Sequence, residues 1–347
     1  MRSPLIAPNW IGDAVMAQPL TDLIRAHHGG GLDAVAAPHV APVLRAMSAI
    51  DEVIELPLRR GSLQLGDRWR LARRLRSSAY ARCYVLPNNL KAAIAPWLAG
   101  IPERVGHRGE ARYGLINRMH KGADARDRLM VEFYAQLITV TGASLPAQIA
   151  EPRLRVAAGL LQQCREKFLP DGAEPLIAFA PGAEYGPAKR WPARHFAALA
   201  GRIQSQWPHA RIVLLGAAKE RDLATEITTL SGLRLLNLCG NTRLEEAMAL
   251  IALSDAVVTN DSGLMHVAAA LRRPVVALFG SSDPRHTPPL AADARVLWLQ
   301  LDCSPCFART CPLGHTDCLN RLTPAMAMQA LQAALADRSP SPELGSL

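Results

Sequence analysis

The chain is predicted to fold as two α/β domains in series, each a doubly wound parallel sheet, and three observations predict this. At 347 residues it is too long for one hydrophobic core, because single cores stop growing above ~250 residues. Short apolar, strand-like runs alternate with helix-length amphipathic runs from the first residues onward, the rhythm of parallel sheets covered on both faces. That rhythm breaks once, over residues 151–172, where a polar segment and a helix-like stretch at 157–168 lead into Leu169-Pro170-Asp171-Gly172. The boundary is therefore expected at residue 170, giving domains 1–170 and 171–347.

In the first half, strand-like runs lie at 5–7, 32–37, 53–56 and 82–86, separated by helical patterns at 13–27, 42–47, 69–76 and 90–98. The second half restarts with strands at 175–180, 211–215, 256–259 and 275–279 and helices at 193–206, 220–230, 244–253, 263–270 and 324–335. From about residue 338 the chain is rich in Ser and Pro and reads as a disordered tail. Two such domains put the carboxyl ends of both sheets around one cleft, where α/β folds bind ligands. The pattern suits the GT-B architecture of glycosyltransferases, but equally two-lobed binding proteins and sugar-nucleotide epimerases. A dinucleotide dehydrogenase is disfavoured, because the first strand leads into PNWIGD and not a Gly-x-Gly-x-x-Gly turn.

Hydrophobic residues make up 49% and charged residues 20%, a globular balance, and no apolar run approaches the ~20 residues of a membrane span. Pro8, Asn9, Gly12 and Asp13 interrupt the N-terminal apolar run where a signal peptide needs a continuous one. A cytoplasmic protein is expected, with its seven cysteines reduced or metal-bound and not a disulfide framework. The net charge of +9 is uneven: residues 1–150 hold 19 Lys+Arg against 12 Asp+Glu, leaving 20 against 18 for the remainder. Two stretches carry much of the excess: Arg68, Arg70, Arg73, Arg74 and Arg76, then Arg104, Arg108, Arg112, Arg118 and Lys121. Each reads either as a solvated face or as a surface for a polyanion. Nucleic acid is disfavoured, because aromatic stacking platforms do not interleave with the cations. An anionic lipid or sugar is the expected partner.

Three turns carry candidate chemistry. Asn260-Asp261-Ser262-Gly263 joins an apolar strand to a helix, so backbone N–H groups and a helix dipole there suit a diphosphate. A simple helix cap by Asp261 or Ser262 is the plainer alternative. Pro181–Pro192 follows the first strand of the second half and delivers Lys189 and Arg190 at its carboxyl end, as phosphate ligands or as a solvated loop. In Pro8–Met16, Asp13 starts the first helix above the first strand, as a cap or as a reactive carboxylate. A carboxylate on one domain and a phosphate-binding apparatus on the other are together what transfer to a sugar hydroxyl requires.

The runs PNWIGDAVMAQPL, VLPNNLKAAIAPWLAGIPERVGHRGEARYGLIN, FAPGAEYGPAKRWP, VVTNDSGLMHVAAALRRPVVALFGSSDP and HTPPL resemble the successive motifs of the inverting ADP-heptose:lipopolysaccharide heptosyltransferases, type II above all. The likeness runs from about residue 5 to 290 and is specific where PGAEYGPAKRWP and TNDSGLMHVAAAL occur together. It implies a GT-B fold, with a first domain that binds acceptor and a second that binds nucleotide sugar. It also implies an ADP-heptose donor, inversion at the anomeric carbon, and a lipopolysaccharide inner-core acceptor already bearing heptose. That acceptor would place the protein at the inner face of the inner membrane.

Carried over residue by residue, the resemblance makes Asp13 the general base and Lys189 a ligand of the donor phosphates. It makes Asp261 with Ser262, Gly263 and Leu264 the donor turn, where Asp261 is expected to cap the turn or meet a sugar hydroxyl. Glu184, Tyr185 and His266 are donor-side candidates, and Asn88, Lys91, Arg108 and Arg112 acceptor-side ones. Lys189 and a helix N-terminus would do the work a divalent ion does at many phosphate sites, so catalysis is expected to need no cofactor. Type I or III transfer to another core acceptor stays open, as does a nucleotide-sugar-binding module without turnover. Separately, Cys303, Cys306, Cys311 and Cys318, with His315 and Asp317 among them, have enough thiolates for a tetrahedral structural zinc. Reduced thiols and a redox or iron–sulfur role are the alternatives.

Overall fold

The computed structural model describes residues 2–57, 62–120, 128–139, 145, 148–170 and 175–337. Lys121, Asp171, Gly172 and the Ser/Pro tail lie outside them. Two compact units, Met1–Arg155 and Val156–Leu347, each contain a six-stranded parallel sheet, so the expected class of two doubly wound parallel-sheet domains holds.

In the first unit, β1 (Ser3–Ile6) leads through α1 (Ile11–Met16) and α2 (Gln18–His28) to β2 (Leu32–Ala36), and α3 (Ala41–Arg45) leads to β3 (Glu52–Glu55). The chain then crosses back through α4 (Leu65–Ser77) to β4 (Arg82–Val85), and α5 (Leu90–Leu98) leads outward to β5 (Glu103–His107) and β6 (Arg118–His120). The sheet order is β3-β2-β1-β4-β5-β6, so winding reverses between β1 and β4. All four residues of β1 are buried. Leu71, Ala72 and Leu75 of α4 and Ala93 and Ala95 of α5 cover one face of the sheet, over Ile6, Val35 and Val85. α6 (Met130–Ala135) packs against α2.

The pattern at residues 13–27 reads as one helix, but the structure breaks it at Ala17, whose N–H donates to both Asp13 O (2.9 Å) and Ala14 O (3.2 Å). Pro19 follows at the second position of α2, where a missing N–H costs nothing. β5 and β6 lie in the second basic stretch and are invisible to periodicity, because the polar residues of β5 hide a buried Val105-Gly106-His107 run and β6 is three residues long with only His120 buried.

The second unit runs from α7 (Ala158–Phe168) through β7 (Leu176–Ala180), α8 (Ala193–Gln206), β8 (Arg211–Leu214), α9 (Arg221–Ser231) and β9 (Leu236–Asn237). It continues through α10 (Leu244–Leu253), β10 (Ala256–Asn260), α11 (Gly263–Ala270), β11 (Val275–Phe279) and β12 (Arg295–Trp298), then α12 (Asp317–Asn320) and α13 (Pro324–Ala336). The order β12-β11-β10-β7-β8-β9 puts the winding reversal between β7 and β10, which pair in register from Ala256 opposite Ile177 to Thr259 opposite Ala180. The contact division falls at Arg155 and Val156, earlier than residue 170. α7 packs on α10, and Lys167 pairs with Glu246 (2.9 Å), so this helix goes with the second unit.

Candidate active site

In the second unit the carboxyl ends of β7, β10 and β11 converge at the winding reversal, where open α/β sheets bind ligands. The loop after β7 is shaped by close approaches. A Cβ on Gly182 would sit 1.7 Å from Glu220 Oε1, and one on Gly186 would sit 2.4 Å from Arg309 O, so neither position admits a side chain without movement. Asn260, fully buried at the end of β10, pins the loop from beneath. Its Oδ1 accepts from Trp191 N (3.0 Å) and its Nδ2 donates to Pro181 O (2.6 Å). Trp191 is buried and donates its indole N–H to Leu322 O (2.8 Å).

This loop delivers Lys189 to Asp261, with Nζ 2.5 Å from Oδ2 and side chains 18% and 7% exposed. Ser282 Oγ, after β11, donates to the same carboxylate oxygen. Asp261 therefore does not cap α11. It is an anchor that holds the ammonium in place, and such a pair exchanges desolvation for a fixed position. Ser262 precedes α11, and no side-chain hydrogen bond caps that helix. The first-turn N–H groups of Gly263 and Leu264 and the positive end of the helix dipole are therefore presented beside the Lys189 cation, a combination that suits a phosphate.

Tyr185 is sandwiched by charge, with Lys189 Nζ 5.2 Å and the Arg309 guanidinium 5.1 Å from its ring. Its hydroxyl donates to Phe307 O (2.8 Å). Glu184 is exposed and pairs with Lys219. His266 is buried, and that burial pushes its pKa down to about 4 against the opposing charge of Asp261, so it is neutral at neutral pH.

Cys303, Cys306, Cys311 and Cys318 line one small cavity together with Ala188 and Ser281. All four are free thiols, and among the described residues no three His, Cys, Asp or Glu side chains are placed to hold a metal ion. The four thiols thus share one cavity. The segment that carries them braces the site: Ala188 N donates to Arg309 O (3.0 Å) and Phe307 N to Ser281 O (2.6 Å). Sequence reasoning assigned no role to Asn260, Ser282 or Arg309. The first two stand in runs that carry the family resemblance; for Arg309 no sequence signal exists.

In the first unit, Asp13 lies half-buried in the first turn of α1, just past the carboxyl end of β1 and so at that sheet's winding reversal. Its charge reaches the buried Tyr134, whose phenol is pushed well up, mainly by burial and secondarily by Asp13. Lys91, in the first turn of α5, lines a cavity of about 320 Å³ with Asn9, His39, Arg68, Asn89 and Glu110. Asn88 and Arg108 are exposed but do not line it. Arg112 is fully buried. Its guanidinium donates to Pro87 O (2.5 Å), Asn88 Oδ1 (3.0 Å) and His107 O. The expected surface cation is thus an internal brace that fixes the turn carrying Asn88. Arg104 is likewise committed, to Ile101 O, Leu115 O and Gly114 O.

The sequence profile of glycosyltransferase family 9 (heptosyltransferase) matches residues 68–317. The chain is 40% identical over 345 residues to lipopolysaccharide heptosyltransferase 2 of Escherichia coli K12, covering 96% of this chain and 99% of the relative. It is 37% identical to lipooligosaccharide heptosyltransferase 2 of Haemophilus influenzae Rd, covering 97% and 100%. The solved structure of E. coli ADP-heptose lps heptosyltransferase II superposes with a TM-score of 0.86 at 38% identity, covering 97% of this chain and 99% of that one. A GT-B fold, a family profile over most of the chain and full-length relatives of one kind agree, and the chain belongs to glycosyltransferase family 9, the heptosyltransferases.

Proposed function

We propose that this enzyme transfers heptose from ADP-L-glycero-D-manno-heptose to the first heptose of the lipopolysaccharide inner core, with inversion. The observation that carries the reading is the Lys189–Asp261 pair beside the N-terminus of α11, in a chain whose full-length relatives are named lipopolysaccharide and lipooligosaccharide heptosyltransferase 2. The second unit is the donor side. Lys189 and the first-turn N–H groups of α11 neutralise charge that builds on the diphosphate as the glycosidic bond breaks. Asp261 and Ser282 hold the ammonium in position. Tyr185 and Glu184 are placed to shape the sugar end of the donor pocket.

The first unit is the acceptor side. As the acceptor hydroxyl attacks the anomeric carbon, its proton becomes acidic and the Asp13 carboxylate takes it. The Lys91-lined cavity and Arg108 suit acidic sugars and phosphates of the inner core, with Arg112 bracing the intervening turn. These roles require no metal in the transfer step. The acceptor is lipid-anchored, so the enzyme works at the inner face of the cytoplasmic membrane, and no described helix is long and apolar enough to cross it.

The test is turnover of ADP-heptose with monoheptosylated and heptose-free Kdo-lipid acceptors, for the native enzyme and for Asp13→Asn. We expect transfer to the monoheptosylated acceptor only. Asp13→Asn should lower turnover by roughly 10²–10⁴ with ADP affinity kept. Efficient transfer to the heptose-free acceptor would assign a type I activity, and turnover of native magnitude in Asp13→Asn would remove it as the base.

A further inference from the structure

Helices α4 and α5 lie side by side and run in the same direction. Near their starts Arg68 donates to Lys91 O (2.5 Å), and near their ends Arg76 donates to Leu98 O (2.5 Å) and Ala99 O (3.4 Å). Their inner residues fill the core. Their outer residues are not those of an ordinary solvated face: Leu65 (57%), Trp69 (53%), Leu90 (37%) and Trp97 (48%) are exposed. These two tryptophans are a third of the chain's six. Around them stand Arg70, Arg73, Arg74 and Arg76, all exposed, and the Arg73 guanidinium lies 4.9 Å from the Trp69 ring centre. From residue 65 to 98 the chain holds seven Lys+Arg against one carboxylate, Asp67. Of these, Arg68 is buried and Arg82 pairs with Glu103; Arg70 pairs with Asp67 and Arg74 with Glu52, so the outer face sets four arginines against two carboxylates.

We infer that the outer face of α4 and α5 is a docking surface for an anionic phospholipid bilayer. Exposed Trp and Leu set among arginines is the composition that seats at a lipid headgroup boundary, the rings entering the interface and the guanidinium groups meeting phosphates. On this face four exposed arginines meet only Asp67 and Glu52 as local carboxylates among the described residues, a balance that favours an anionic surface. The placement also fits the task. Arg68, Leu71, Lys91, Ala92 and Ala95 of the same two helices line the 320 Å³ cavity, so the surface that meets the bilayer adjoins the cavity assigned to a lipid-anchored acceptor. The inference deepens that assignment and takes only its choice of partner from it.

The test is co-sedimentation of the full chain, without substrates, with vesicles of phosphatidylglycerol or of phosphatidylcholine. Binding is expected to the anionic vesicles only and to fall as salt is raised. Trp69→Ala with Trp97→Ala, and separately Arg70→Glu with Arg73→Glu, should each weaken it by roughly tenfold or more. Both pairs are exposed, and an unchanged melting temperature establishes the fold of each; if the tryptophan pair unfolds, the arginine pair carries the test. Turnover on a delipidated acceptor should stay native in both variants while turnover on vesicle-borne acceptor falls, which separates this inference from the transfer reaction. Equal binding to both vesicle types, or full binding by both variants, would overturn it. So would a native chain that stays in the supernatant. A native dimer that the tryptophan variant dissolves, with no lipid binding, would assign the face to a second copy.

Discussion

Replacing Arg112 by Met separates the two roles this residue can hold. Its guanidinium makes three donations, to two carbonyls and one amide oxygen, and bonds to a charged donor contribute about 1.5–3 kcal/mol each. Their loss alone would cost about 4.5–9 kcal/mol. Removing the buried cation also recovers its desolvation cost, several kcal/mol, and Nε is buried without an acceptor, so part of that cost is uncompensated already. Met fills most of the volume. The net loss is about 2–4 kcal/mol, which for a unit of this length lowers its unfolding temperature by about 5–15 °C. Thermal unfolding followed by circular dichroism measures this, with acceptor kinetics run beside it at low temperature. Arg112→Lys should fall between the two, because an ammonium cannot reach three acceptors at once. A Met variant with native unfolding temperature and a raised acceptor constant would place the guanidinium at the acceptor and refute the brace.

Arg108 is the contrasting case: exposed at the end of β5, it should on change to Ala raise the acceptor constant roughly tenfold with donor constant and melting temperature kept, and the reverse pattern would exclude it from the acceptor side. His107 and His266 are buried and held down to about 4. Both stay neutral in the fold while an unfolded His protonates near ~6.5, so stability should be full above that pH and fall as pH drops from ~6.5 toward 4. Denaturant titrations across the upper part of this window, before most carboxylates protonate, check the sign; flat stability there would refute it. Cys311 is held below the usual thiol range by the backbone N–H groups of Thr316, Leu313 and Gly314, whereas burial pushes Cys318 up to about 11. Iodoacetamide at neutral pH should therefore label Cys311 early and Cys318 last. Protection of all four until a chelator is added would show that they hold a metal.

The sequence by itself determined the two sheets, most of their strands and the turns at their carboxyl ends, because buried parallel strands are continuous apolar runs and turns are marked by Gly, Pro, Asn and Asp. Runs such as VVTNDSG and FAPGAEYGPAKRWP therefore located Asp261 and Lys189 before any fold was known. β5 escaped because its polar residues disguise a buried run, and β6 because it is three residues long with only His120 buried. What each polar side chain does was decided only by tertiary structure. Arg108 and Arg112 stand four residues apart in one basic stretch, yet one is exposed and the other is spent inside on Pro87, Asn88 and His107. Asp261 reads as a helix cap from its position and is instead the partner of Lys189 and Ser282, which come from separate segments of the chain. Local spacing sets a residue's place on its own helix or strand, but its partner depends on which distant segment the sheet order brings alongside, and only the folded chain contains that information.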